Sequence, residues 1–260
     1  MISGKVVWLT GASSGIGFAL AEALLLAGNQ VIASARNTES LERLAASYPN
    51  TLSVLACDVS DEKSVASAHK KLEAMVDMLD LVILNAGTCE YVDLPKFDAD
   101  LFRRVFATNI QGVVNCIALA LPFLTRKAPS KSKHKPHLVA VSSLSSLLPF
   151  PRAEAYGASK AALDYLMATL RIDLQGQVDV TVVQPGFVKT PLTAKNDFAM
   201  PGLIDCERAV AEIIWAIDKR KKMHRFPRRL AWPLLWLRAA GSFWESVIAP
   251  KLVRNHRSLY

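Results

Sequence analysis

The chain has 260 residues, 51% of them apolar, enough to bury the core of one large α/β domain and too few for several independent ones. Its formal charge of +8 sits at one end: residues 219–260 carry eleven Lys and Arg against the single acid Glu245, which leaves residues 1–218 slightly acidic. A basic tail on an acidic body fits an anionic surface better than base-specific nucleic-acid binding, and no interleaving of aromatic and basic residues appears in the first 218 positions.

Cys57, Cys89, Cys116 and Cys206 are far apart and lack the spacing of a zinc site or a redox pair, so they read as reduced thiols of a cytoplasmic protein. Met1 to Lys5 runs straight into the apolar stretch Val6 to Leu9, leaving no room for the separate regions of a signal peptide. The apolar run Leu230 to Leu237 is closed by Arg228, Arg229 and Arg238, well short of the roughly 20 uninterrupted apolar residues of a spanning helix.

In chain order, short apolar and β-branched runs at 5–10, 30–35, 51–56, 80–84, 137–142 and 178–184 predict strands. Stretches of helical period at 15–28, 61–77, 98–125 and 153–175 alternate with them. Alternation of this kind predicts an α/β fold, a doubly wound parallel sheet of Rossmann type, with any ligand along the C-terminal ends of the strands. Residues 1–227 make up this domain and residues 228–260 a C-terminal extension. Between the third helix and the fifth strand, Arg126 to His137 reads as a solvated loop; its His134 and His137 have no acidic or thiol companion, and no metal site is expected.

Candidate functional residues follow the strands one after another. Gly11-Ala12-Ser13-Ser14-Gly15-Ile16-Gly17 joins the first strand to a helix, where glycines permit a tight turn and backbone N–H groups can approach a pyrophosphate. Arg36 stands at the end of the second strand, where an NAD-selective site would carry a carboxylate; a guanidinium there suits a 2′-phosphate and favours NADP(H) over NAD(H). Asp58 and Val59 follow the third strand, placing the aspartate near an adenine, and Asn85-Ala86-Gly87 follow the fourth on the ribose side. Tyr156 and Lys160, four apart at the start of a helix, project from one face. For the phenol to work near neutrality its pKa of about 10 must fall by about 3, equivalent to about 4 kcal/mol, and an adjacent ammonium would supply part of that.

These motifs, TGASSGIG, Asn85-Ala86-Gly87, Tyr156-x-x-x-Lys160 and Pro185-Gly186, closely resemble in order and spacing the short-chain dehydrogenase/reductase family over about residues 4–220. The resemblance implies that Tyr156 is the general acid/base and that Lys160 holds the nicotinamide ribose. It matches Ser143 to the serine that binds the substrate oxygen, although Ser142, Ser145 and Ser146 are neighbours. Asn109 is matched to an asparagine supporting a water relay from Lys160, against the plain alternative of a helical side chain bonding the preceding turn. Pro185, Gly186, Val188 and Thr190 are placed near the nicotinamide amide, and Gly11, Ser13, Ile16 and Gly17 under the pyrophosphate. A homodimer through helices 98–125 and 153–175 is also implied.

The implied activity is an NADP(H)-dependent oxidoreductase interconverting a carbonyl and an alcohol. Leu144, Leu147, Leu148, Phe150 and the segment 192–203 predict an apolar pocket, hence a lipid- or steroid-like ketone, aldehyde or alcohol. The rival is a nucleotide-binding scaffold without turnover, against which the joint presence of Ser143, Tyr156, Lys160 and Asn109 argues. Residues 228–254 place Trp232, Trp236 and Trp244 among basic residues, which suits either an interfacial membrane helix or a cover over the substrate cleft.

Overall fold

A strand apolar on both faces is stable only where helices cover both sides of its sheet. The computed structural model describes residues 2–126 and 135–253. Its strands are β1 (Val6–Thr10), β2 (Gln30–Ala35), β3 (Leu52–Ala56), β4 (Leu81–Leu84), β5 (His137–Val141), β6 (Asp179–Pro185) and β7 (Met223–Phe226). They form one seven-stranded parallel sheet in the order β3-β2-β1-β4-β5-β6-β7. Chain direction across the sheet reverses at β1 and β4, and the crevice beyond their C-terminal ends is where such a sheet binds a ligand.

Helices α1 (Gly15–Leu26), α2 (Glu39–Ser47) and α7 (Cys206–Asp218) cover one face, while α3 (Glu62–Met75), α5 (Gly112–Thr125) and α6 (Glu154–Asp173) cover the other. Alternation along β1 sends Val7 and Leu9 into the first core and Trp8 into the second. Trp8 is fully buried, and its indole N–H donates to Ser34 Oγ at 2.8 Å, so the large side chain leaves no donor unpaired.

The expected elements end within two residues of those observed, but α2, α7 and β7 add to them. Only Leu41 and Leu44 are buried in α2, too few apolar positions to display a period. The expected helix 98–125 is not regular: α4 (Ala99–Phe106) passes through one π-helical turn, Ala107–Gln111, before α5 begins. Among the described residues, this Ala99–Thr125 segment alone is long and apolar enough, by length and composition, to cross a membrane. Here Val113, Cys116, Ala120 and Phe123 are buried in the core instead.

The solvated-loop reading of Arg126 to His137 is corrected at its end. Residues 127–134, with His134, lie outside the described part, but His137 opens β5 and is buried. The Thr181 hydroxyl donates to the Lys221 carbonyl at 2.5 Å, so His137 Nε2 must donate to Thr181 Oγ1 at 2.8 Å, which selects the Nε2–H tautomer. Burial, followed by the nearby Arg220 cation, pulls the His137 pKa down from 6.5 to about 4. The unfolded chain therefore takes up this proton before the folded one does, and stability from this group falls as pH drops from 6.5 towards 4, by about 3 kcal/mol. Replacing His137 with Gln should flatten that acid limb in urea unfolding at pH 7 and about pH 4.5; an unchanged limb would show that His137 does not set it.

Candidate active site

The turn after β1 is shaped by close backbone approach. Gly11 and Gly15 have φ of +64° and +53°, and a Cβ at Gly11 would lie 2.6 Å from Ala86 Cα. A Cβ at Gly17 would lie 2.1 Å from the Gly11 carbonyl oxygen, so α1 crosses the turn closer than any side chain permits. Thr10 Oγ1 accepts from the N–H groups of Asn85 and Ala86 at 3.1 and 3.2 Å. The Asn85 amide donates back to the Thr10 and Gly11 carbonyls at 3.2 and 2.9 Å. Asn85 thus borders the groove, but its amide is committed to holding the glycine turn.

The first internal bond of α1 runs from the Phe18 N–H to the Ser14 carbonyl, leaving the N–H groups of Gly15, Ile16 and Gly17 without helical partners. Ser14 is extended and makes no side-chain cap, and no acidic residue stands in the first turn. The helix therefore presents unpaired donors and a positive end to a groove of about 350 Å³. Lining it are Gly11, Ser13, Ser14, Gly15, Ile16 and Gly17 at one end and Tyr156, Lys160 and Ser143 at the other. Arg36, Asp58, Val59, Asn85, Ala86, Gly87, Pro185, Gly186, Val188 and Thr190 complete its walls. These residues fit a dinucleotide: donors for its pyrophosphate and a long wall for two nucleosides.

Arg36 is exposed at the end of β2 and makes no ion pair with any described residue. Asp58 Oδ1 accepts from the Ser60 N–H and hydroxyl at 2.9 and 2.6 Å. Although burial opposes it, these bonds and the Arg36 charge hold the Asp58 carboxyl below the ordinary range. Thr190 stands beside the pyrophosphate turn: its Cγ2 would lie 3.0 Å from a Cβ at Gly15, and its hydroxyl is tied to Thr193.

At the other end Ser143, Tyr156 and Lys160 meet. The Ser143 hydroxyl accepts from the Ser145 N–H at 3.1 Å and lies near enough to the Tyr156 phenol to favour its ionised form. Its neighbours are directed elsewhere: Ser142 Oγ donates to the Lys160 carbonyl at 3.3 Å, Ser146 Oγ donates to the Ser143 carbonyl at 2.8 Å, and Ser145 Oγ is buried without a partner among the described residues. Lys160 Nζ donates to the Val141 carbonyl at 2.9 Å and lies 5.8 Å from the centre of the Tyr156 ring. Burial pulls its pKa down from 10.5 to about 8, with Asp164 acting in the opposite sense.

The expected depression of the Tyr156 pKa is not what this arrangement produces. Burial, reinforced by Cys89, drives the phenol well above its ordinary value despite the opposing effect of the Ser143 hydroxyl. Lys160 faces the ring and the Val141 carbonyl rather than the phenolic oxygen. A phenol held neutral is suited to giving up a proton to a basic oxygen beside it.

Asn109 is fully buried in the π turn, and the alternative of a bond to the preceding helical turn fails. Its oxygen accepts from the Thr88 N–H at 2.8 Å, and its amide donates to the Thr88 carbonyl at 2.9 Å and to Ser159 Oγ at 3.0 Å. Gly87 lies between Asn109 and Lys160: a Cβ there would be 3.4 Å from Asn109 Oδ1 and 3.5 Å from Lys160 Nζ.

One network escaped sequence reasoning because its members come from three elements. The buried Gln184 amide, at the end of β6, donates to Ser146 Oγ at 2.9 Å and to Asp164 Oδ2 of α6 at 2.5 Å. Arg225 of β7 donates to Gln184 Oε1 at 2.6 Å, fixing the orientation of the amide. Through Ser146 this chain reaches the Ser143 carbonyl. Gln184→Leu should strand the Asp164 carboxylate, whose other oxygen already has no partner, and cost about 2–4 kcal/mol. It should also lower kcat by letting the Ser143 loop shift, read by initial rates beside urea unfolding; an unchanged midpoint and rate would show that the network holds nothing.

A parallel sheet with a glycine turn, an open helix end and a Ser-Tyr-Lys cluster at one crevice defines a dinucleotide-dependent α/β enzyme. The family model described as short chain dehydrogenase matches residues 5–200, and the chain belongs to the short-chain dehydrogenase/reductase family. It is an NAD(P)-dependent oxidoreductase acting on CH–OH and C=O groups. An uncharacterized oxidoreductase of Myxococcus xanthus is 34% identical over 236 residues, 89% of this chain and 91% of the relative. Farnesol dehydrogenase of Aedes aegypti is 34% identical over 202 residues, 75% and 81%. A solved short-chain dehydrogenase from Streptomyces avermitilis superimposes with a TM-score of 0.79 at 27% identity, over 94% of this chain and 98% of that one.

Proposed function

We propose that the protein uses NADP(H) in preference to NAD(H) to interconvert a carbonyl and an alcohol on a hydrophobic molecule, with Tyr156 as the general acid/base. The reading is carried by the meeting of Ser143, Tyr156 and Lys160 at the inner end of the dinucleotide groove.

When bound, the dinucleotide supplies the hydride that adds to the carbonyl carbon. The Ser143 hydroxyl holds the carbonyl oxygen, and Tyr156 gives its phenolic proton to that oxygen as the alcohol forms. The high pKa of Tyr156 keeps that proton in place until the oxygen beside it becomes basic. Lys160 binds the ribose and, with Asn109 across Gly87, provides a polar path along which Tyr156 regains its proton. Near the reacting end, Leu144, Leu147 and Leu148 are packed with the C-terminal segment, and Tyr91, Phe187 and Phe198 form edge-to-face contacts. These apolar surroundings support a hydrophobic substrate, as does the relative named for farnesol, itself a hydrophobic alcohol. Exposed Val114 on α5 with Tyr165 and Ile172 on α6 supports a homodimer through those helices, and four unpaired cysteines suit a cytoplasmic setting.

Tyr156→Phe should abolish carbonyl-dependent oxidation of NADPH while leaving NADPH binding within about twofold, because only the hydroxyl is lost. Retention of more than about a tenth of the rate, a loss below about 1.4 kcal/mol, would remove Tyr156 from the role.

For the cofactor, Arg36→Asp should reverse the preference between NADPH and NADH measured by fluorescence titration, since a carboxylate repels the 2′-phosphate that an unpaired guanidinium attracts. Equal affinity of the unaltered protein for both cofactors would defeat the assignment.

A further inference from the structure

After β7 the chain turns at Pro227 into a last helix, α8 (Arg228–Ala239), followed by a π-helical turn, Trp244–Ile248. By helical spacing, Leu230, Leu234 and Leu237 share one side of α8, while Arg228, Arg229, Trp232 and Trp236 share the other. The inner side is committed. Ala231, Leu234 and Trp244 are buried against Leu144, Leu147 and Leu148 of the loop after Ser143, and the Trp244 N–H donates to the Pro149 carbonyl at 2.8 Å.

The outer side is apolar at its centre and unpartnered. Trp232 is 60% exposed, Trp236 73% and Phe243 49%, in a protein that buries Trp8 completely. The charges around them differ from those of the body. Arg43, Arg103, Arg104, Arg152, Arg208 and Arg220 each lie against a carboxylate. Arg228, Arg229, Arg238 and Lys251 are exposed and pair with no acid among the described residues. Arg228 and Arg229 moreover occupy the first turn of α8, where the positive end of the helix repels cations and no acidic residue offsets them. An array of unpaired cations around exposed tryptophans is complementary to anionic headgroups over an apolar layer.

The other described basic residues of the tail do not belong to this face. Lys219, Arg220, Lys221 and Lys222 precede β7, at the opposite end of the sheet, where Arg220 pairs with Asp179 and Lys221 lies over Trp215. The beginning of α8 adjoins the rim of the substrate cleft: a Cβ at Gly202 would lie 3.4 Å from Pro227 and 3.7 Å from Leu230. The neighbouring Leu203, and Leu192 on the groove wall, are exposed.

We infer that the outer side of α8 and the turn after it, Trp232, Trp236 and Phe243 with Arg228 and Arg229, is a monotopic surface that seats the protein on an anionic bilayer. The inner side of the same helix holds the loop after Ser143, so seating brings the cleft rim to the headgroups, where an apolar substrate partitions. Binding is independent of hydride transfer and is measured without substrate or cofactor.

The full chain should float with phosphatidylcholine vesicles carrying about a third phosphatidylglycerol, with a blue shift of tryptophan emission, and be partly released by salt. Trp232→Ser with Trp236→Ser should weaken flotation at least about tenfold and remove most of the blue shift. Arg228→Gln with Arg229→Gln should weaken it at low salt and reduce the salt dependence. Both pairs are exposed and outside the reaction machinery, so NADPH oxidation with a water-soluble carbonyl compound should be unchanged, which also establishes that the variants fold. Three outcomes would overturn the inference: no flotation of the full chain at low salt, wild-type flotation of the tryptophan variant, or conversion of a dimer to a monomer by that variant in sedimentation velocity, which would give the face to a second copy of the chain.

Discussion

The site depends on one close approach, that of the Gly17 α-carbon to the Gly11 carbonyl where α1 crosses the turn after β1. With a side chain at either position the helix would be pushed away from β4, because Gly11 also abuts Ala86. The Asn85 amide and the Thr10 hydroxyl then tie the turn and β4 together through reciprocal bonds, so the pair of strands that opens the crevice also fixes its donors. An open helix end is a cost to a fold unless something fills it. Here the absence of a side-chain cap at Ser14 and of acids in the first turn keeps that end receptive to phosphate.

At the reacting end, burial has opposite consequences for two groups. It raises the Tyr156 pKa and lowers that of Lys160, so both are pushed towards their neutral forms. With a pKa of about 8, Lys160 still carries its proton near neutrality but holds it less tightly than a free lysine, beside a phenol that keeps its own. The carboxylate of Asp164, one helical turn from Lys160, limits this for the lysine by favouring its ammonium. Asp164 also accepts from Gln184, so the same carboxylate that tunes Lys160 helps to anchor the Ser143 loop.

Much of the fold was legible because the strands are apolar runs of the right length, buried on both faces, and because β-strand and helical periods alternate without interruption. α7 lay outside the expected elements, although Ala209, Val210, Ile213, Ala216 and Ile217 repeat at helical spacing. The site was legible as residue types at strand ends, not as contacts. Four serines within five positions are equivalent on paper, and only the turn of the loop after β5 directs Ser143 to the phenol and Ser146 away from it. Asn109 faces inward because one π turn rotates it, a feature with no sequence period of its own. A spacing of four says that Tyr156 and Lys160 share a face, not whether the ammonium lies nearer the hydroxyl or the ring. Gln184, Asp164 and Arg225 converge only through the pairing of β6 with β7 and the packing of α6.

The C-terminal extension shows why composition alone could not divide its two readings. A window that counts apolar and basic residues over 219–260 adds together three populations with different surroundings. Lys219 to Lys222 sit at the far end of the sheet, and Arg225 is partly buried against Gln184. Among the described residues, Arg228, Arg229, Arg238 and Lys251 are the exposed cations in the segment that carries the exposed aromatics. The tryptophans divide likewise: Trp244 is 3% exposed and bonded to Pro149, whereas Trp236 is 73% exposed. One side of α8 is thus part of the core around the loop after Ser143, and the other meets whatever lies outside. Covering the cleft and contacting an external surface are therefore not alternatives for this helix, because they use opposite sides of it.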